Sequence, residues 1–150
     1  MKNLFEAERA KEVKQRLSRL RSDSQRRWGK MSPAQALAHC SAGVEWAVGD
    51  RIPPRMFVGR LIGRMVKRLA LQNDEPMRRN SPTAPDLVVQ DERDLETERE
   101  RLSRLIDRFA AAGPKGCTAH PHAFFERLTP EEWATLTYKH LDHHLRQFGA

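Results

Sequence analysis

The sequence predicts an all-α protein, a four-helix bundle with a long crossover loop. Apolar residues recur at spacings of three and four in several long segments, and proline, glycine or capping residues bound these segments. No stretch of useful length alternates apolar and polar residues as strands do, and no internal repeat is present. A chain of 150 residues can bury a core of its own, so we expect one domain over residues 1–150.

The composition and the N-terminal pattern predict a cytoplasmic protein with no membrane partner. Hydrophobic residues make up 39% of the chain and charged residues 31%, and no apolar run approaches the ~18 residues that span a bilayer. Glu6, Glu8 and Glu12 make the N-terminus unlike a secretory signal or an acid-poor transit peptide. Cys40 and Cys117 are too few for a disulfide framework, which fits a reducing compartment.

The first two predicted helices have apolar stripes and clear ends. Helix one covers residues 3–22. Its apolar residues at helical spacing are Leu4, Phe5, Ala10, Val13, Leu17 and Leu20. Helix two begins at Ser32, which forms a capping box with Gln35 and is followed by Pro33 at the first helical position. It runs to about Val48, where a glycine follows.

His39 lies among the apolar residues of the second helix. Ala36 and Gly43, about one turn to either side, are small and leave room beside its imidazole. A histidine in such surroundings is more often a hydrogen-bonded core residue than a metal ligand, so both interpretations stay open from this position alone. Because side chains of adjacent helical residues diverge, the neighbouring Cys40 is expected to pack in the core rather than to react.

A third helical segment, from Ile52 to Leu69, has an apolar face wider than a single core contact requires. Its apolar residues are Met56, Phe57, Val58, Leu61, Ile62, Met65, Val66 and Leu69. We therefore expect this helix to be covered on two sides, and its breadth is one reason to expect a homodimer.

The net charge of +7 is concentrated between residues 51 and 80, which hold eight Arg and Lys residues. Four of them stack along one helix face: Arg60, Arg64, Lys67 and Arg68. The simplest interpretation is a solvated face, and attraction of an anionic small molecule or a thiol cofactor comes next. Nucleic acid is disfavoured, because no helix-turn-helix, zinc finger or set of stacking aromatics accompanies the charge.

A connection without helical pattern, residues 71–87, follows the third helix. It contains Pro76, Pro82 and Pro85. Its length is typical of a crossover or functional loop. The next helix starts at Val88 or Asp91 and continues to Ala112, where Gly113 ends it. Its core stripe comprises Leu95, Leu102, Leu105, Ile106 and Phe109.

The last helix, residues 129–148, begins with a capping box of Thr129 and Glu132 and carries the strongest chemical signal. His140 and His144 are four residues apart on its apolar side, whereas His143 lies on the charged side and is expected in solvent. Two neutral imidazoles beside apolar residues are suited to a shared zinc, nickel or iron ion, but this spacing alone is more often found in a helix that is rich in surface histidine. A zinc-protease helix is excluded, because Leu141 occupies the place of its glutamate.

Segments from nearly the whole chain resemble the DinB/YfiT-like superfamily. The matching residues are Trp28, Met31, Ser32, Leu37, His39, Asn80-Ser81-Pro82-Thr83, His120-Pro121, Phe125, Leu128-Thr129, Glu132-Trp133 and the run Tyr138–Gly149. The resemblance is to its branch of uncharacterised domains whose last helix reads KHLDHHLRQFG. It implies an antiparallel four-helix bundle with a crossover connection. It also implies one divalent metal bound by His39, His140 and His144.

The resemblance also implies a function for this centre. Three protein ligands and an open position are typical of a catalytic ion, which activates water or a thiol and polarises a substrate. Characterised members include thiol transferases and isomerases that use low-molecular-weight thiols. The resemblance therefore implies a metal-dependent thiol transferase or small-molecule hydrolase that acts as a homodimer, and the basic charge favours a small anionic substrate. A non-catalytic metal-binding or stress-response module and a nucleic-acid accessory using residues 51–80 stay open as alternatives.

Several residues are candidates for the wall of a pocket at this centre. They are Trp28, Trp46, Tyr138, His120 and Phe125. Each aromatic residue is explained equally well as ordinary core. His120 and His122, in the loop of residues 116–128, are candidates to lie over the centre, and exposure to solvent is the alternative for both. The candidates for a general base are Glu45, Tyr138 and Asp142, of which Asp142 is expected on the outer face of the last helix.

Overall fold

The computed structural model describes residues 1–150 and contains five α-helices and no strand. The helices are α1 (Ala7–Leu17), α2 (Pro33–Val48), α3 (Phe57–Ala70), α4 (Leu95–Ala112) and α5 (Pro130–Gln147). Two short 3₁₀ turns, Pro85–Leu87 and Gly113–Gly116, precede and follow α4. The all-α prediction is therefore confirmed. No helix combines the length and the apolar content needed to cross a membrane.

The starts of α2 and α5 follow from their capping residues. The Ser32 hydroxyl accepts a hydrogen bond from the Gln35 amide at 3.2 Å, and the Gln35 side chain accepts one from the Ser32 amide at 3.0 Å. Thr129 and Glu132 make the same reciprocal pair at the start of α5, at 3.1 and 2.9 Å. Both capping boxes were expected from the sequence, and both satisfy amides that have no partner inside the helix.

Three helices are shorter than the sequence predicts, and α3 begins at Phe57 rather than at Ile52. α1 spans 7–17 rather than 3–22, although Leu4 and Leu20, outside the helix, are buried. α4 begins at Leu95 rather than at 88 or 91, because the Asp94 carboxylate accepts a hydrogen bond from the Thr97 amide at 2.8 Å and caps the helix there. Burial in the core therefore extends beyond the helical residues themselves.

The core lies between α1, α2, α4 and α5. α2 packs most extensively against α4 and also contacts α5, and α1 contacts both α4 and α5. One continuous cluster of buried side chains joins these four helices. Its fully buried large members are Leu4, Val13, Leu17, Val44, Leu102, Ile106, Phe109, Leu141 and Leu145. This arrangement places the histidine-bearing parts of α2 and α5 next to each other.

α3 lies outside this core, and the expectation that it is covered on two sides is wrong. It contacts the rest of the protein through a glycine edge: a Cβ on Gly59 would lie 2.5 Å from the Phe124 carbonyl oxygen, and one on Gly63 would overlap the same atom. Lys139 anchors its end by donating to the Ala70 carbonyl at 2.6 Å. Only glycine allows so close a backbone approach, so the larger side chains of α3 face solvent.

Candidate metal centre

Three histidines from α2 and α5 converge on one point. The nearest ring nitrogens of His39, His140 and His144 all lie within 4.8 Å of one another. Nε2 of His39 and Nε2 of His140 are 2.7 Å apart, and the centroids of the three rings are separated by 4.7 to 4.9 Å. His39 and His144 are buried, whereas His140 is half-buried. The three residues could therefore hold a single metal ion.

The backbone of the two helices explains this convergence. His140 and His144 are one turn apart on α5, so their rings point to the same side of the helix. On the facing α2, Gly43 leaves space for one of these rings, because a Cβ there would lie 3.1 Å from Nδ1 of His140. The sequence predicted that Gly43 makes room for His39; the structure places the His140 ring in that space.

Hydrogen bonds orient two of the rings. Nδ1 of His39 donates to the Leu87 carbonyl oxygen at 2.8 Å, and Nδ1 of His144 donates to Oε1 of Gln147 at 2.8 Å. The Gln147 amide is itself held, because its Nε2 donates to the Trp28 carbonyl at 2.8 Å. A proton on Nδ1 leaves a lone pair on Nε2, so His39 and His144 both offer Nε2 to a cation.

The surroundings keep these imidazoles uncharged. Burial lowers the pKa of His39, and it lowers the pKa of His144 to about 3. The pKa of His140 is well below its ordinary value, mainly through burial and then through the neighbouring histidines. Neutral imidazole is the form that binds metals, so all three side chains have the required protonation state at pH 7.

An aromatic group beside the centre is built around His122, not His120. His120 is exposed, whereas the ring of His122 stacks on Phe125 with centroids 4.8 Å apart. Trp46 and Trp133 complete the group, with ring centroids 5.5 and 5.4 Å from that of His122. Nδ1 of His122 accepts the backbone amides of residues 124 and 125, which turns the loop inward.

Trp28 lies near His143 on the other side of His144. Nε1 of Trp28 donates to Nε2 of His143 at 3.4 Å, and the Arg79 guanidinium lies 4.3 Å from the centroid of the Trp28 ring. His143 is therefore half-buried, and the expectation that it lies in solvent is wrong. The helical pattern placed it correctly on the side away from the apolar stripe, but the segment around Trp28 covers that side.

Comparison with known families identifies the chain. Residues 2–150 match the model of a family described as "Protein of unknown function (DUF1569)". The chain belongs to the DUF1569 family. No curated protein and no solved structure matches the sequence of the chain.

The three candidates for a general base in this DUF1569 protein are engaged elsewhere. The Tyr138 hydroxyl donates to Glu12 at 3.4 Å, and Glu45 accepts a hydrogen bond from Arg101 at 2.5 Å. Asp142 was expected on the outer face, but it is buried and pairs with Arg16 and Arg146, each at 2.7 Å. These contacts join helices, so they account for the three side chains as structural groups.

Replacing Gln147 by alanine should weaken metal binding without removing a ligand. The His144 ring would lose the acceptor of its Nδ1 proton, and loss of such a partner typically lowers metal affinity about 10- to 100-fold. Competition with a chromogenic chelator would measure the change. The exposed Gln15 on α1 provides a matched control, and Gln15→Ala should leave the affinity unchanged. Equal affinities of the two variants would show that Gln147 does not orient the ring.

Lowering the pH should destabilise the metal-free DUF1569 protein, and His122 should account for part of this loss. Burial, with a contribution from Arg55, lowers the pKa of His122 from 6.5 to about 4. Between about pH 6.5 and pH 4 this histidine is protonated in the unfolded chain but neutral in the folded chain. The free energy of unfolding therefore decreases as the pH falls below about 6.5. By pH 5 this amounts to about 2 kcal/mol.

Thermal or urea unfolding at pH 7 and pH 5, in the presence of a chelator, would measure the effect. His122→Asn is the matched variant, because its side-chain oxygen can accept the same backbone amides and does not titrate. The other buried histidines contribute equally to both proteins. A pH dependence as steep in the variant as in the wild type would contradict the assignment.

Proposed function

We propose that this protein is a metal-dependent enzyme in which His39, His140 and His144 bind one divalent cation. The observation that supports it is the convergence of three neutral imidazoles within 4.8 Å, two of them oriented by hydrogen bonds through Nδ1. Imidazole groups favour zinc, nickel or iron over magnesium and calcium. A set of three protein ligands that leaves a position open is typical of a catalytic ion rather than a structural one.

On this proposal substrate approaches the centre from the side of His140. His39 and His144 are buried, and the half-buried His140 marks the approach. His122 and Phe125, next to Trp46, restrict water on the loop side. A bound cation in these surroundings supplies Lewis-acid activation of a substrate, a thiol or water. The role of the protein is to keep the ligands neutral and to shape the space around them.

The bundle topology and the reaction class that we propose follow the resemblance to the DinB/YfiT-like superfamily. On this proposal α1, α2, α4 and α5 form the antiparallel four-helix bundle of a single domain, and the connection from α3 to α4 is the crossover. The reaction class is transfer of a low-molecular-weight thiol to an electrophile, or hydrolysis of a small molecule. The positive net charge of +7 favours an anionic substrate.

Metal analysis combined with turnover assays tests the proposal. We expect close to one equivalent of zinc, nickel or iron in the purified protein. We also expect turnover with one member of a panel of glutathione, bacillithiol, mycothiol and cysteine, offered with electrophilic acceptors and ester substrates. Chelation should abolish this turnover. His39→Ala should lose metal and activity together, whereas His120→Ala, in an exposed loop position, should retain both.

Two results would lead to other conclusions. Bound metal with no turnover, and a melting temperature that falls on chelation, would identify a non-catalytic metal-binding module. Absence of bound metal under all loading conditions would overturn the metal site itself.

A further inference from the structure

The outward face of α3 is an uncovered apolar surface. The side chains of Phe57 and Leu61 are 73% and 71% exposed, unusually high values for such large apolar groups. The other exposed apolar residues on or next to the helix are Ile52, Val58, Ile62, Met65 and Leu69. A contiguous group of large exposed apolar side chains is typical of a surface that binds a partner or a membrane.

The contact beneath α3 fixes which face points outward. Gly59 and Gly63 lie against the backbone of Phe124 with no space for a Cβ. Lys67, on the same inward side, is 2.9 Å from the Glu132 carboxylate. A rotation of the helix that buried Leu61 would drive a large side chain into this contact. The exposure of the apolar face is therefore a property of the packing of α3.

Cations line one flank of this face. Arg60, Arg64 and Arg68 follow one another at intervals of one turn and are exposed, and α3 contains no acidic residue. The Arg64 side chain is 87% exposed and has only a long contact, 3.8 Å, with Glu126. The charges and the apolar side chains therefore point to the same side of the protein.

An open recess of about 460 Å³ adjoins the same flank. Its lining residues are Arg55, Arg64, Lys67, Pro121, Glu126 and Arg127. Four cationic side chains and one carboxylate line it, and three of these cations remain when Lys67, which pairs with Glu132, is set aside, so the recess favours an anionic group. None of the three histidines lines it, which separates this surface from the candidate metal centre.

These features discriminate between possible occupants. Nucleic acid would satisfy the arginines but would leave the apolar side chains of α3 in water. A second copy in an antiparallel two-fold arrangement would place one row of Arg60, Arg64 and Arg68 against the other. The surface of a bilayer with anionic lipids offers both an apolar boundary for the side chains and negative charge for their cationic flank.

We propose that α3 is an interfacial helix that binds the protein reversibly to an anionic bilayer surface. Its apolar face enters the boundary between headgroups and acyl chains, and the recess accepts a lipid phosphate. The helix lies in the plane of the surface and does not span the membrane. The inference does not depend on the metal centre, and the two can fail separately.

Co-sedimentation with lipid vesicles tests this surface. We expect binding to vesicles in which phosphatidylglycerol replaces part of the phosphatidylcholine, and little binding to phosphatidylcholine alone. Added salt should weaken the binding. Arg64→Gln and Arg68→Gln should each reduce the partition coefficient roughly fivefold. The double variant Leu61→Gln/Met65→Gln should reduce it at least about tenfold, because it removes apolar groups that enter the boundary.

Matched controls keep the test independent of folding. Leu61 and Met65 are exposed, so their double variant should melt at the wild-type temperature. Arg104→Gln removes a largely exposed charge from α4 (76% exposed, against 87% for Arg64) and should leave vesicle binding unchanged.

Three results would overturn the proposal. The first is binding that is equal on neutral and anionic vesicles, or unaffected by the Leu61→Gln/Met65→Gln change. The second is a dimer in light scattering that this double variant abolishes, with no vesicle binding, which would assign the face to a second copy. The third is salt-sensitive binding of DNA or RNA with no vesicle binding.

Discussion

His140→Ala is expected to lower the affinity for a divalent metal by more than about 100-fold, a larger effect than loss of a residue that only orients a ligand. His140 contributes the nitrogen that lies 2.7 Å from Nε2 of His39, and no other histidine is placed to replace it. Two imidazoles would remain, which is fewer than the three protein ligands that bind a catalytic ion. Titration with zinc or nickel in the presence of a competing chelator would measure the change.

His143→Ala is the control for this variant. The two residues lie on the same helix, but Nε2 of His143 accepts a hydrogen bond from Trp28, and His143 is not among the three histidines whose nitrogens converge. We expect its metal affinity to stay within a few-fold of the wild type. If both substitutions weakened binding equally, the metal would be bound by a general histidine-rich surface, and the assignment of three specific ligands would be wrong.

Asp142→Ala is expected to have the largest effect on stability, a loss of about 3 kcal/mol. The Asp142 carboxylate accepts hydrogen bonds from Arg16 on α1 and from Arg146 on α5, each at 2.7 Å. The side chains of Asp142 and Arg16 are only 10% and 14% exposed, so the substitution removes the close counter-ion of a buried guanidinium and leaves it a longer contact, 3.6 Å, with Glu12. For a chain of this length the melting temperature should fall by about 6 to 12 °C.

Asp107→Ala offers the same substitution in an exposed ion pair. Asp107 contacts Lys14 at 2.6 Å, but its side chain is 58% exposed, and such pairs contribute less than about 1 kcal/mol. Chemical unfolding of both variants would compare the two pairs directly. Equal losses would mean that the Asp142 pair is screened by water as fully as the exposed pair.

The helices were largely predictable because their signals are local. The capping boxes at Ser32 and Thr129 depend on residues three apart, and both helices begin where expected. The covering of α3 was predicted wrongly, because an apolar face indicates that a helix is amphipathic but not what it packs against. The close contact of Gly59 and Gly63 with Phe124 joins segments that are distant in the chain, and no local pattern reveals it.

The candidate site was predictable to a similar degree. The spacing of His140 and His144 placed them on one side of α5, and the resemblance to a known superfamily added His39. The roles of Gln147 and His122 were not predicted. Gln147 reaches His144 within α5 but is held by the distant Trp28 carbonyl, and the inward position of His122 depends on the path of its loop. Contacts of this kind, between a residue beside the site and a segment distant in the chain, can be identified only from the tertiary structure.

The glycine contact under α3 has a mechanical consequence. The Phe124 carbonyl fills the space beside Gly59 and Gly63, and Phe124 is two residues from His122. α3 therefore cannot be pressed toward the body of the protein without displacing the loop that carries His122 and Phe125. A displacement of α3 toward the core would therefore move the Phe124 backbone and, with it, the rings of His122 and Phe125.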